Sequence, residues 1–185
     1  MLVSSKKLNV IGGGPGGLFL AILIRTHRPQ WEVQVWERNP PHATFGFGVV
    51  FSDRTIERLD NADPILMERI RAEFQSWTDI EIGTPKGVRR TGGHGFSAIA
   101  RHRLLAILQQ RARELQVSVL YEHEALDFDR LYEDCDLLIG ADGINSLVRE
   151  RWAEEFKPDI RTGSARFIWF ATPRRYDALT FHFVQ

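Results

Sequence analysis

Apolar and polar positions recur along the chain with two periods, and the switches between them mark the elements. Residues 8–11 are a short apolar run closed by glycine, the pattern of a strand buried on both faces. Leu18, Phe19, Ile22 and Arg25 then follow at helical spacing. Pro15 suits the first turn of that helix, and Pro29 ends the pattern. Over residues 31–37 the period falls to two, with Val33 and Val35 on one face, which predicts a second strand. Together these make a β-α-β unit of about thirty residues, the size expected of a parallel crossover.

Further along, residues 38–52, RNPPHATFGFGVVFS, read as one long loop, of a kind usually functional or mobile in a compact domain. Residues 53–75 read as helical but broken at Pro64, and residues 78–99 as short β-like pieces separated by Gly83, Gly87, Gly92 and Gly93. RHRLLAILQQRAREL places Leu104, Leu105, Leu108, Ala112 and Leu115 on one helical stripe. Residues 117–121 and 136–140 predict two more strands, and Ser146 the start of a short helix. Beyond Trp152 the texture turns aromatic and β-rich, in ARFIWFATP and ALTFHFVQ. The expected class is α/β: one domain over residues 1–152, then the beginning of an antiparallel sheet over 153–185. Residues 76–99 could lend strands to that second part.

Composition narrows the function. A chain of 185 residues can bury a real core, and 24 Lys+Arg against 24 Asp+Glu give no hint of a nucleic-acid or membrane surface. No run of ~18 apolar residues is present to span a bilayer. Lys6 and Lys7 before an apolar stretch resemble a signal peptide, but the glycines and proline of residues 12–17 interrupt it and no small-x-small site follows. The single cysteine, Cys135, permits no internal disulfide and is expected at a strand edge. A soluble, cytoplasmic chain is the expectation. His27, His42, His94, His102, His123 and His182 are scattered, so no metal site is expected, and no Ser-His-Asp signature is present.

The strongest chemistry lies in NVIGGGPGGLFLAI. Gly12, Gly14 and Gly17 fit G-x-G-x-x-G, with Pro15 and Gly16 between them. The first glycine permits the tight turn, the second lets a pyrophosphate approach the backbone, and the third lets helix and strand pack closely. Free N–H groups and the dipole at the helix start favour phosphate charge. The pattern alone is weak, but here it follows a strand, opens a helix and leads to a strand ending in Glu37. An acid there accepts hydrogen bonds from ribose hydroxyls and repels a 2′-phosphate, which points to a Rossmann-like site for FAD or NAD rather than NADP. Arg38 beside it either stacks near adenine or is a solvated strand-end residue.

A second glycine turn stands in DLLIGADGINSLVR. Its Asp136, Gly140, Ala141, Asp142, Gly143, Ser146 and Arg149 resemble the Asp-Gly motif of the single-component flavoprotein aromatic hydroxylases, the p-hydroxybenzoate hydroxylase-like group. The resemblance implies a three-layer ββα FAD-binding domain over residues 1–152 and the start of a substrate domain after it. It also implies that Asp142 and Gly143 organise the dinucleotide region and that Arg149 anchors the turn. IARHRLLAIL resembles the family's helix whose first arginine, here Arg101, sits near the flavin's ribityl-phosphate region, a suitable role for a guanidinium. Ala125, in YEHEALDF, falls where relatives offer backbone to adenine, and Gly48 and Val49, in FGFGVVFSD, where a loop passes over the flavin. Many relatives carry an arginine in that loop; this chain has Phe45, Gly46 and Phe47. TFGFGVVFSD, GGHGF and RFIWFAT resemble the subgroup acting on bulky activated aromatics such as aryl-CoA thioesters, with His94 and Phe96 near the substrate.

On this likeness the expected activity is hydroxylation of an activated aromatic ring with FAD as cofactor, NAD(P)H as transient reductant and O2 as oxidant. The cofactor carries the hard step and the protein binds, orients and excludes water; no catalytic acid or base is recognisable. Family members run to roughly twice this length, so the resemblance reads the chain as an N-terminal half, inactive alone, with a possible dimer or a missing C-terminal half as partner. Two other readings stand beside it. One is a non-enzymatic FAD- or NAD-binding module, or half of a split enzyme needing a partner chain; the other is an NAD-dependent dehydrogenase.

Overall fold

The computed structural model describes residues 5–168, 172 and 174–184. The chain packs into two compact units that interleave along the sequence. The first takes residues up to 43 and then 105–166; the second takes 44–104 and then 167 onward. These packing units cut the chain at other places than the functional boundary drawn at residue 152.

The first unit is built on a four-stranded sheet. β1 (Lys7–Ile11) leads into α1 (Pro15–His27) and returns as β2 (Glu32–Glu37), the crossover the hydrophobic pattern predicts. The helix α4 (Arg101–Glu114), β6 (Ser118–Tyr121), α5 (Phe128–Glu133), β7 (Leu137–Gly140), α6 (Leu147–Arg151) and α7 (Ala153–Phe156) come much later in the chain. The strand order is β6-β2-β1-β7, and every pairing is parallel. β1 is therefore central. Leu8, Asn9, Val10 and Ile11 are all buried, as the apolar run interrupted only by Asn9 leads one to expect of a central parallel strand. β2 alternates instead, with Val33 and Val35 buried. The buried residues of α1 are Gly17, Leu18, Ala21 and Ile22, and the helix packs on β1 and β2.

Asn9 is the exception in this core. Its amide nitrogen donates to the Leu131 carbonyl at 2.9 Å and its oxygen accepts from Trp36 Nε1 at 3.4 Å. A buried amide is tolerated because both ends are partnered. On the α4 stripe Leu104, Leu105, Leu108 and Ala112 are buried, while Leu115 is half-buried.

The second unit corrects three expectations. β3 (Gly48–Ser52) occupies the end of what read as a long loop. It pairs antiparallel with β5 (Gly87–Ala100), and Val49, Val50 and Phe51 supply the strand chemistry. The glycine-punctuated pieces of 78–99 are two long strands, β4 (Gln75–Thr84) and β5. They form a ladder interrupted by one register shift between Trp77 and Asp79. Backbone pairing carries these strands through their glycines, because ladder hydrogen bonds need no side chain. β8 (Leu179–His182) pairs with β4 in parallel, so the sheet, ordered β3-β5-β4-β8, is mixed rather than antiparallel. Of the expected aromatic strand around RFIWFAT, residues 166–168 are described and form no strand, and residues 169–171 lie outside the described residues. α2 (Asp53–Ala62) and α3 (Pro64–Arg71) break at Pro64 as expected. Ser52 caps one and the buried Asp63 the other.

Candidate functional site

β1 and β7 lie side by side, with Ile11 opposite Gly140, so both glycine turns leave the sheet at one edge. Their backbones touch: the Ala141 N–H donates to the Ile11 carbonyl at 2.7 Å, and the Gly12 N–H to the Trp36 carbonyl at 2.8 Å.

The first turn has no room for side chains at three of its glycines. Gly12 has φ +109°, and a Cβ there would run into the Ala141 carbonyl. A Cβ on Gly17 would collide with the Gly12 carbonyl, so helix and strand meet backbone to backbone. A Cβ on Gly13 would stand 2.8 Å from Glu37 Cβ. Gly14 and Gly16 face open space instead. Gly14 is the N-cap of α1, and no side chain caps that helix. The N–H groups of its first turn thus lack the side-chain acceptor that most helix starts recruit. With Pro15 at the first helical position, the turn is preset and its remaining donors face outward.

Glu37 ends β2 and reaches back over this turn. Its Oε2 accepts the Gly13 N–H at 2.8 Å, and its Oε1 accepts both the backbone N–H of Asn39 at 2.8 Å and that residue's amide nitrogen at 2.7 Å. Neither Gly13 nor Asn39 was singled out in the sequence. The extra glycine of GGG and the asparagine two positions after the acid were the available signals. Arg38 is exposed, and Ala125 is buried in a cluster with Ile11 and Val148.

The second turn is closed from within. Asp142 Oδ2 accepts the backbone N–H groups of Leu147 at 2.7 Å and Val148 at 3.2 Å. Ser146 is the N-cap of α6 and accepts the Arg149 N–H at 3.0 Å, while Arg149 Nη2 donates to the Ile144 carbonyl at 2.7 Å. Gly143 takes φ +86°. Asp142 Oδ1 is buried with no hydrogen-bond partner among the described residues. Burying an acceptor unpaired is costly, so the turn has one position where an outside donor would be welcome.

In the second unit, Gly48 sits in the β3–β5 ladder, where a Cβ would come within 3.1 Å of the Ile99 carbonyl, and Val49 pairs with Ile99. Arg101 donates its backbone N–H to the Phe47 carbonyl at 3.0 Å, and its Nε is buried without a partner among the described residues. Phe45 and Phe47 are 73% and 59% exposed, and Gly46 between them has φ +98°. His94 is exposed and meets Thr91 Oγ1 at 3.3 Å. Phe96 pairs with Trp77 and Ser52 inside the sheet.

A dinucleotide fits these residues of the first unit: a close backbone turn at Gly12, Gly13 and Gly17, an uncapped helix start, a braced carboxylate and the buried Asp142 Oδ1. Among the described residues no group of three His, Cys, Asp or Glu could hold a metal, and no helix is long and apolar enough to cross a membrane.

The parallel sheet, the glycine turn into α1 and the acid closing β2 define a Rossmann-like α/β fold. No protein-family model matches the chain. It is 46% identical over 175 residues to a salicyloyl-CoA 5-hydroxylase of a Streptomyces species, covering 95% of this chain and 34% of that protein. It is 27% identical over 175 residues to a 3-hydroxy-4-methyl-anthranilyl-[aryl-carrier protein] 5-monooxygenase of Streptosporangium sibiricum, covering 95% and 49%. A solved tetrameric form of 2-methyl-3-hydroxypyridine-5-carboxylic acid oxygenase superposes with a TM-score of 0.66 at 24% identity, over 80% of this chain and 42% of that one, and shares the fold. Over most of its length the chain is thus similar to proteins named as hydroxylases and monooxygenases of aromatic compounds. It spans between about a third and a half of the length of these curated relatives.

Proposed function

We propose that this chain binds FAD and forms the FAD-binding part, over residues 1–152, of a monooxygenase. That enzyme would hydroxylate an activated aromatic, an aryl-CoA thioester, with NAD(P)H and O2. The observation that carries the substrate class is the 46% identity to a protein named for an aryl-CoA substrate. The uncapped start of α1 supports the cofactor.

Hydride acceptance and oxygen activation are what a flavin supplies when bound. The chain's own residues have simpler tasks. Gly12, Gly13 and Gly17 bring backbone close, so that the N–H groups of the first turn of α1 receive the pyrophosphate charge. Gly14 and Gly16 keep that approach clear of side chains, and Pro15 presets the turn. Glu37 accepts from ribose hydroxyls, with Arg38 and Ala125 flanking the adenosine end. Asp142 and Gly143 hold the second turn in place beside the first, and the free Oδ1 accepts one donor from the cofactor region. Arg101 offers its unpartnered Nε to ribityl or phosphate oxygen, and Gly48 and Val49 present backbone to the flavin.

Two measurements test this. Fluorescence titration of the purified chain with FAD should show saturable binding, and absence of binding would end the flavin reading. Substrate-stimulated NAD(P)H oxidation should be followed in a protein of the relatives' length over phenolic and anilinic acids, their CoA esters and indoles. Stimulation by CoA esters is expected. A response to indoles alone would overturn the substrate class, and FAD binding without any stimulated turnover would leave a non-enzymatic nucleotide-binding module.

A further inference from the structure

Glu37 has fewer open positions than a ribose diol needs. A carboxylate offers about four in-plane lone-pair sites, two on each oxygen. Both sites on Oε1 are taken by Asn39, one by its backbone N–H and one by its amide, and one site on Oε2 is taken by Gly13. A single in-plane site on Oε2 remains. A ribose presents two vicinal hydroxyls, so Glu37 alone would leave one of them without a strong acceptor here.

The second acceptor stands next to the first. Because carboxylate oxygens only accept, the Asn39 atom 2.7 Å from Oε1 must be the amide nitrogen, which fixes the orientation of that amide. Its Oδ1 and its second N–H then make no hydrogen bond among the described residues, and the side chain is only half-buried. Each can meet a hydroxyl, one as acceptor and the other as donor.

We infer that Asn39 is a ribose-reading residue that works as a pair with Glu37: Glu37 Oε2 takes one adenosyl hydroxyl and the Asn39 amide takes the other. This rests on the proposed dinucleotide site. The pair also explains why an acid so heavily committed to its own backbone can still read a diol. Its backbone bonds hold the carboxylate in one rotamer, so little side-chain entropy is left to lose when a nucleotide arrives. Asn39 has two separable duties: bracing Glu37 and touching the ligand. A purely bracing residue would weaken every adenosyl ligand alike, whereas a reading residue weakens only ligands that carry its hydroxyl.

The experiment is a ligand-and-mutant cycle read as dissociation constants by calorimetry. The ligands are FAD and its two analogues lacking the adenosyl 2′- or 3′-hydroxyl. The proteins are the unaltered chain and Asn39→Ala, with thermal midpoints recorded for both. Asn39→Ala should weaken FAD by about three- to ten-fold, the scale of one lost hydrogen bond. Against one of the two deoxy analogues the same substitution should cost clearly less than it costs FAD, leaving only the loss of the brace, because the hydroxyl it reads is already gone. Equal weakening of all three ligands, or no weakening of FAD, would overturn the Asn39 assignment while leaving the cofactor reading intact. Failure of the unaltered chain to bind FAD would sink the cofactor reading and the pair with it. If Asn39→Ala melts well below the unaltered chain, Asn39→Ser, which keeps a short polar side chain, runs the same cycle with the same criteria.

Discussion

The two glycine turns leave neighbouring parallel strands at the same edge of one sheet, yet they treat their helices in opposite ways. The helix after the first turn, α1, begins with no side-chain cap. The helix after the second, α6, begins with Ser146 on the Arg149 N–H and Asp142 on those of Leu147 and Val148. Both starts have the same electrostatic need, since each leaves backbone N–H groups unpaired. α6 meets it from within, and α1 leaves it open. The difference separates a turn that leaves its helix start uncapped from one that closes on itself, and on the proposed function the open one receives the anion. Asp142 faces two ways: one oxygen caps α6, and the other is buried without a partner among the described residues.

The largest test of this contrast is steric. Gly17→Ala drives a methyl group into the Gly12 carbonyl, and backbone cannot yield as a flexible side chain would. A stability loss of about 3 kcal/mol is expected, measured by denaturant melts of the chain without nucleotide. A loss near zero would mean that the helix and strand are not in backbone contact. Asp142→Ala removes the acceptor of two N–H groups at α6 and should cost about 2 kcal/mol. Asp142→Asn, which keeps an acceptor oxygen, should cost less. If the alanine variant melts with the unaltered chain while nucleotide binding fails, Asp142 is a ligand contact rather than a brace.

The sharper test runs the other way, by giving α1 the cap it lacks. Gly14 already has N-cap dihedrals, φ −72° and ψ 179°, and nothing stands where its Cβ would be. Gly14→Asp should raise the stability of the nucleotide-free chain by a few tenths of a kcal/mol. It should weaken FAD by about five- to ten-fold, because a carboxylate then occupies and repels from the phosphate position. Stabilisation without loss of affinity would show that α1 is not where the anion binds.

The smallest effect concerns the acid that only the first turn possesses. Tyr121 lies opposite Glu37 in the β2–β6 ladder. Burial pushes its phenol above the ordinary value; nearby Arg113 pulls it down, and the Glu37 charge adds a smaller upward push. The folded pKa is the higher one, so the contribution is fully present below the unfolded value of about 10 and fades as pH rises through the folded value. Tyr121→Phe should remove the late step of the phenolate absorbance titration and flatten the alkaline fall in thermal stability. Glu37→Gln should move that step slightly to lower pH.

Much of the first unit was legible because its signals are local. The apolar run before Gly12, the spacing of Leu18 and Ile22, Pro29 and the alternation around Val33 each report a period or a break within a few residues, and β1, α1 and β2 follow them. The second unit was read less well, because its strands depend on distant partners. Gly83 and Gly92 look like interruptions until β4 and β5 pair, and Ser52 and Phe96 are neighbours only once β3 meets β5.

Local sequence by itself determined the glycine turn, the acid at its proper distance and the Asp-Gly turn, since each is a requirement on backbone freedom or charge at one position. Tertiary structure alone decided the rest. It put Gly13 beneath the side chain of Glu37, tied Asn39 to that carboxylate, and left one helix capped and its neighbour bare. It also placed residues 44–104 in a different packing unit from the flanking stretches. The meeting of Gly13 with Glu37 joins groups 24 residues apart in the chain, and even the nearer partners of Asn39 and Asp142 are set by which rotamer the folded backbone admits, because hydrogen bonds and steric exclusion act only within about 3 Å.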